Sequence, residues 1–266
     1  GDARLNTQVL WVGGWKENSL VDVLESVSFT LWLSFCNFKC PWCANSVLAR
    51  GVEKKPVSVD EIVAAASRAA SFVDYFHVTG GEPTLQFRAL GELFARVKAM
   101  TGLKLSLDTN ASIPGAIEYI LSRVALDHIA IDIKAPLEDP VKYARVAGLQ
   151  PGVAVKMTER VRMGIQVSQR VEDFLELRTL LVPDLLGVED VEKIAREILE
   201  MRLDKAPRLV YVVQQFIPYT GVPEEYRRKP KTPKEQVLEA AKRAKEILQG
   251  YAEIYYRTIE DGSRKL

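Results

Sequence analysis

The chain has 266 residues, 47% of them hydrophobic and 27% charged, with 36 basic side chains against 35 acidic ones. That length fits one barrel-sized α/β domain or two small ones. A net charge of +1 supplies no field for releasing counterions from a nucleic-acid backbone, and the longest apolar-rich run, Val27 to Phe35, is too short to span a bilayer, so a cytoplasmic protein that does not bind nucleic acid as its main task is expected.

Residues 1–23, with Trp11 and Trp15 around Gly13-Gly14, read as an irregular N-terminal extension. Val27 to Ser34 is the first predicted strand. Ser58 followed by Glu61 is a capping box that opens a helix to about Ser71. A second strand, Phe76 to Thr79, runs into Gly80-Gly81-Glu82-Pro83, and a helix from about Gln86 to Ala99 follows. Strand Leu103 to Leu107 ends at Asp108-Thr109-Asn110. Pro114 opens the next helix, to about Val124, before strand His128 to Ile133 leads into Lys134. Pro140 starts a short helix, and Val153 to Val171 fits neither period well. Strand Glu176 to Val182, helix Val188 to Met201, strand Arg208 to Phe216, helix Pro233 to Leu248 and a terminal strand Tyr251 to Thr258 complete the chain.

Alternating short β-rich runs and longer amphipathic stretches are the pattern of repeated β-α units on a parallel sheet. Five or six such units predict an α/β fold, a partial (β/α)6 TIM-like barrel over residues 24–258, with the short extension 1–23 before it and a tail 259–266 after it. Chemistry in such barrels sits at the carboxyl ends of the strands, which is where the punctuated motifs of this sequence fall.

All three cysteines lie in one eight-residue window, Cys36-Asn37-Phe38-Lys39-Cys40-Pro41-Trp42-Cys43. A structural disulfide would leave an odd thiol, and structural zinc wants a fourth ligand, whereas His77 and His128 lie far along the sequence. Three thiolates without a nearby fourth ligand match an iron-sulfur cluster with one open iron.

Cys36-x3-Cys40-x2-Cys43, with Trp42 before the third cysteine, resembles the signature of the radical S-adenosylmethionine (SAM) enzymes, and Thr79-Gly80-Gly81-Glu82-Pro83 resembles that family's second motif. Within the family the chain is most similar to the branch of activating enzymes that install glycyl radicals: the cysteine loop, Asp108-Thr109-Asn110, Asp132-Ile133-Lys134, Glu176-Leu177-Arg178 to Val182-Pro183 and Phe216-Ile217-Pro218-Tyr219 occur in its order and spacing over residues 20–256. The resemblance implies one 4Fe-4S cluster on Cys36, Cys40 and Cys43, with SAM on its open iron. It implies that Thr79, Gly80, Gly81 and Glu82 contact the methionyl amino group, glycine being the residue that lets backbone come close to a ligand. It further implies that Asp108, Thr109 and Asp132 form a region for a monovalent cation and the SAM carboxylate, that Lys134 and Arg178 lie near SAM, and that Trp42 packs by the adenine.

Three features depart from that branch. Ser19 to Ser26 carries neither Gly nor Pro where an Asp-Gly-Pro-Gly-like segment is common; Phe35 and Ala44 stand where Gly and His flank the cysteines; and Thr220 stands where His often follows the Pro-Tyr of the sixth strand.

The implied reaction is one-electron reduction of the cluster by a flavodoxin or ferredoxin, cleavage of SAM to methionine and a 5'-deoxyadenosyl radical, and hydrogen-atom abstraction from a glycine of a partner glycyl radical enzyme. A radical SAM enzyme acting on a nucleoside, RNA or small metabolite is the rival reading, and a cluster-bearing electron carrier a third. A monomer is expected. His77 shares a strand face with Thr79, which makes it, with Lys134, a candidate to reach the substrate, although a lone strand histidine is also a common core residue. Asp132, between Ile131 and Ile133, is expected to be buried and therefore to need a partner or a cation. Asp108 and Asn110 also suit a turn after a strand. Arg227-Arg228-Lys229 with Lys231 suits a solvated loop face or a docking patch.

Overall fold

The computed structural model describes residues 8–266, and they form two compact units. The first comprises residues up to 37, 47–108 and 116–126; the second comprises 38–46, 109–115 and 127–266.

In the first unit β1 (Val9–Ser19), β2 (Ser28–Leu33), the single turn α1 (Ser46–Ala49), β3 (Lys55–Ser58), α2 (Val59–Ala69), β4 (Tyr75–Gly80), α3 (Phe87–Thr101), β5 (Lys104–Thr109) and α4 (Pro114–Arg123) follow in order. Its strands lie in the order β5-β4-β2-β1-β3. The β2–β4 and β4–β5 pairs are parallel, and β1 runs antiparallel to β2 and β3. Residues 9–19 of the expected irregular extension are therefore a strand, while residues 1–7 of it lie outside the described residues. Leu10 and Val12 of β1 are buried, and Val9 and Trp11 are exposed, the alternation of a half-buried strand. The Gly13-Gly14 pair does not end it, because the register shifts there between Val12 and Gly14 and the strand continues past the bulge.

Ser58 caps α2 by accepting from the Glu61 amide at 3.1 Å, as the sequence predicts. Ile62, Ala65 and Ala66 of α2 and Leu90, Leu93, Phe94 and Val97 of α3 are buried on the sheet. Phe29 stacks on Phe76 at 5.4 Å, and Phe94 meets Phe76 edge-on at 6.0 Å. Truncating such a buried Phe to Ala costs about 3–5 kcal/mol, so these rings carry much of the stability of this unit.

In the second unit β6 (His128–Asp132), α5 (Pro140–Ala147), α6 (Ala154–Ser168), β7 (Phe174–Leu181), α7 (Val188–Met201), β8 (Leu209–Gln215), the short α8 (Glu224–Arg227), α9 (Lys234–Leu248), β9 (Glu253–Thr258) and β10 (Gly262–Lys265) follow. The strand order is β6-β7-β8-β9-β10, with β6 to β9 parallel and β10 antiparallel to β9. The ambiguous stretch after Val153 is a helix, α6; Gly164 falls where any Cβ would meet the Ala111 carbonyl oxygen at 2.1 Å, and a glycine placed inside a helix for such a close approach to a loop weakens the periodic signal. The expected tail holds β10, whose sequence, Gly-Ser-Arg-Lys, is exposed throughout and has no apolar alternation to announce it. Among the described residues, no helix is long and apolar enough to cross a membrane.

Candidate active site

In the first unit the carboxyl ends of β2 and β4 approach each other through backbone alone. The Gly81 amide donates to the Leu33 carbonyl at 3.0 Å, and the Glu82 amide donates to the Phe35 carbonyl at 2.8 Å. A Cβ on Gly80 would stand 2.1 Å from the Leu33 carbonyl oxygen, and one on Gly81 would stand 2.1 Å from that of Phe35 and 3.3 Å from Cys36 Cβ. The glycine motif thus grips the backbone that enters the cysteine loop, and that contact alone requires both glycines. Glu82 is buried; its Oε2 accepts from the Thr84 amide at 3.0 Å and from the Thr84 hydroxyl, so this carboxylate shapes the turn that follows.

Phe35 adopts φ +76°, the left-handed region that glycine enters without cost. The loop has kept the conformation while changing the residue. The Phe35 ring occupies the space a Cβ on Gly51 would need, at 2.3 Å, and meets Trp11 edge-on at 6.3 Å. Burial of the ring against these groups offsets a backbone cost of about 1–2 kcal/mol.

His77 is fully buried, with Nδ1 2.6 Å from Ser106 Oγ and Nε2 3.1 Å from Asp108 Oδ2. Both ring nitrogens are engaged, so this histidine is a satisfied strand residue that orients Asp108, whose side chain remains 21% exposed. The adjoining Asp108-Thr109-Asn110 motif makes turns in its second half. Thr109 Oγ1 accepts from the Ala111 amide, and Asn110 Oδ1 accepts from the amide and hydroxyl of Ser112. Asn110 is a turn residue.

In the second unit helix α5 holds the cysteine loop by its last turn. The Lys39 amide donates to the Ala147 carbonyl at 2.9 Å, and Trp42 Nε1 donates to the Val146 carbonyl at 2.9 Å. These are two of the carbonyls a helix leaves without an internal partner at its end. Gly148 closes α5 at φ +67°, and a Cβ there would fall 1.9 Å from the Lys39 carbonyl oxygen. Phe38 packs edge-on against Tyr143 of the same helix at 6.4 Å. Past the third cysteine, Ser46 Oγ donates to the Gly221 carbonyl at 2.5 Å.

Lys134 is nearly buried, its Nζ 4.9 Å above the Trp42 ring and 3.8 Å from Asp132 Oδ2. Asp132 itself is not buried, contrary to the expectation from its apolar neighbours: its side chain is 48% exposed, because it is the last residue of β6 and projects past the strand end. Arg178 donates to Glu176, which is buried and also lies 3.1 Å from His128 Nε2. Burial opposes ionisation of Glu176, yet the Arg178 guanidinium and His128 bring its pKa down to about 2.

The segment after Lys134 is tied to α7 through Glu197, a residue that the motifs do not mark. The Leu137 amide donates to Glu197 Oε1 at 2.9 Å, while Oε2 has no hydrogen bond among the described residues and lies 3.6 Å from Arg162 Nη2. Burial raises its pKa to about 7. Tyr143 was likewise unmarked. It is fully buried, burial pushes its phenol above the usual range, and a backbone hydrogen bond with Lys134 pulls the other way. The Arg227–Lys231 run lies on a solvated face, where Arg228 pairs with Glu224, Lys229 with Asp184 and Lys231 with Glu260.

None of the three cysteines is in a disulfide, and soft thiolates are donors that select iron-sulfur clusters. Among the described residues no three His, Cys, Asp or Glu side chains gather as tightly as one ion requires; a cubane of four irons spreads its ligands more widely. The free thiols and the close approach of Gly81 to Cys36 fit such a cluster.

A parallel α/β chain with three thiols on the loop after its first parallel strand defines a class of cluster-dependent enzymes. Residues 31–175, more than half of the chain, match the family model described as the radical SAM superfamily. A Methanocaldococcus jannaschii protein named as a glycyl-radical enzyme activating enzyme is 29% identical over 248 residues, 93% of this chain and 96% of that protein. The 7-carboxy-7-deazaguanine synthase of Hyperthermus butylicus is 28% identical over 200 residues, 68% of this chain and 82% of that one. Streptococcus suis SuiB, solved with its precursor peptide SuiA, shares the fold with a TM-score of 0.57 at 17% identity, over 83% of this chain and 44% of that one. The chain belongs to the radical SAM superfamily. It is a radical SAM enzyme of the activating-enzyme type, with the partial-barrel α/β fold of that family, and membership implies a 4Fe-4S cluster and SAM.

Proposed function

We propose that this enzyme installs a glycyl radical on a partner protein, using one cluster held by Cys36, Cys40 and Cys43. The observation that carries the reading is the cysteine loop itself: within the first unit Gly80-Gly81 grip the backbone of Leu33 and Phe35 that leads into it, and within the second unit the end of α5 holds Lys39 and Trp42. The similarity of nearly the whole chain to a protein named as a glycyl-radical activating enzyme supports the choice of branch. When bound, the cluster supplies one electron to SAM, whose cleavage gives methionine and the 5'-deoxyadenosyl radical that takes a hydrogen atom from substrate.

The chain's own residues bind, orient and exclude water. Thr79 to Glu82 present backbone to the methionyl amino group. Asp108, oriented by His77 and followed in sequence by Thr109, and half-exposed Asp132 each keep an oxygen within reach of solvent for the SAM carboxylate region and a monovalent cation. Lys134 holds its ammonium over Trp42, which suits an anionic group near an aromatic wall. The Glu176 carboxylate accepts from Arg178 and so restrains the guanidinium that this reading puts near SAM. The reductant is a flavodoxin or ferredoxin, and the partner a glycyl radical enzyme.

The anaerobically reconstituted enzyme, given dithionite, SAM and a glycyl radical enzyme from the same organism, is expected to produce 5'-deoxyadenosine and a glycyl doublet in the electron paramagnetic resonance spectrum. SAM cleavage with no doublet would favour the second reading, a nucleoside or small-metabolite substrate. That reading is supported by the similarity to a deazaguanine synthase and by Ala44 and Thr220, where the activating enzymes carry histidines.

A further inference from the structure

Of the two histidines in the chain, His77 is accounted for by Asp108, and His128 is not yet given a task. It opens β6 in the second unit, its side chain fully buried and its ring stacked on Phe174 at 4.1 Å. A plain aromatic ring would stack there without burying two polar nitrogens, so the nitrogens call for a role of their own.

The register of the sheet supplies one. Parallel β6 and β7 place His128 opposite Phe174, Ala130 opposite Glu176, and Asp132 opposite Arg178. Alternate residues of a strand share a face, so these six side chains form three layers that climb one face of the sheet toward the carboxyl ends of the strands. In the middle layer Ala130 contributes only a methyl group, and His128 reaches diagonally past it to Glu176, Nε2 lying 3.1 Å from Oε1. The other carboxylate oxygen, Oε2, accepts from Arg178 Nε. Exposure rises along this series, from none at His128 and Glu176 to 11% at Arg178. The series thus begins in the core and ends at the level of the Asp132 motif.

Charge fixes the direction of the bond. Burial opposes ionisation of Glu176, but Arg178, His128 and, least, Arg257 of β9 hold it ionised. An ionised carboxylate only accepts, so His128 Nε2 carries the hydrogen. A buried carboxylate that loses one partner is left with an uncompensated oxygen, which it relieves by moving or by taking up a proton, and either response loosens its hold on Arg178.

We infer that His128 is a positioning residue for SAM binding: by holding Oε1 it fixes the Glu176 carboxylate, and through it the Arg178 guanidinium. The inference rests on the reading that puts Arg178 near SAM and adds the residue that anchors it from the core. His128 acts only through Glu176.

Two substitutions separate the donor from the ring. His128→Phe keeps an aromatic ring on Phe174 and removes the donor, and His128→Gln restores an amide donor near the Nε2 position. Nitrogen-15 nuclear magnetic resonance of the wild type at neutral pH is expected to show His128 Nε2 as a protonated nitrogen, assigned by its loss in His128→Gln. A bare Nε2 would overturn the inference, and this measurement decides even where His128→Phe does not fold. The Arg178 Nε–H signal, assigned by its loss in Arg178→Lys, should exchange with solvent faster in His128→Phe and near the wild-type rate in His128→Gln. After anaerobic reconstitution to equal iron content, the SAM dissociation constant should rise about tenfold in His128→Phe and return close to the wild-type value in His128→Gln. Arg178→Lys tests the underlying reading separately: unchanged SAM affinity in that variant would refute the placement of Arg178 near SAM, whatever His128 does to its Nε–H. If Arg178→Lys weakens SAM binding while His128→Phe only melts lower, with Arg178 exchange and SAM affinity as in wild type, His128 is a packing residue and the inference fails.

Discussion

Glu197→Gln should make the protein more stable at alkaline pH and leave it unchanged in acid. Glu197 Oε1 accepts from the Leu137 amide and Oε2 lies 3.6 Å from Arg162, yet burial outweighs these contacts and raises the pKa from 4.5 to about 7. A carboxyl whose folded pKa is raised contributes fully below pH 4.5, where both states are protonated. Its contribution fades as pH rises from 4.5 to about 7, because the unfolded chain ionises first, and it is gone above that. A difference of about 2.5 units at 1.36 kcal/mol each gives ~3 kcal/mol. Glutamine keeps the acceptor for Leu137 and removes the titration. Urea unfolding of both proteins from pH 4 to 8.5 should therefore give curves that coincide in acid and separate by up to ~3 kcal/mol at pH 8. Parallel curves across the whole range would refute the reasoning, since they would mean that Glu197 is already ionised in the folded protein at pH 5.

Glu176→Gln should act in the opposite sense. Its pKa of about 2 means stability that is present above pH 4.5 and lost as pH falls toward 2, so the substitution should cost about 3 kcal/mol at pH 7, with the gap to wild type closing in acid, as followed by circular dichroism. Cys40→Ala should lose both the brown cluster absorbance and reductive SAM cleavage; retained cleavage would remove the basis of the cofactor assignment. Gly81→Ala would drive its Cβ into the Phe35 carbonyl oxygen. It should lower the iron bound per chain several-fold in reconstitution while far-ultraviolet circular dichroism stays near wild type. Ser106→Ala removes one of the two bonds that fix His77 and should cost about 1 kcal/mol, with SAM affinity measured by equilibrium binding reduced through a looser Asp108.

The thiols were legible because all three fall in one window, and the parallel sheet because nearly every strand ends at a Gly, Pro or Asp motif. What escaped notice did so for physical reasons. Val9 to Val12 alternates correctly for a strand, but Gly13-Gly14 imitates a breaker, and only the register shift opposite β2 reveals a bulge. Asp132 was expected to be buried because its neighbours are apolar, yet one residue of position at a strand end decides exposure. Glu197 reads as one more charge on an amphipathic helix, and the Leu137 amide it accepts from lies 60 residues earlier, so no local pattern joins them. The substitution of Phe35 for glycine signals a changed loop in the sequence, whereas the backbone has kept the glycine-like φ and given the ring a packing role.

The bonds from Lys39 and Trp42 to the end of α5 are made by a backbone amide and an indole, not by a thiol. Replacing a cysteine therefore removes a sulfur and leaves these anchors untouched, so the course of the loop and the chemistry of its sulfurs are set by different residues.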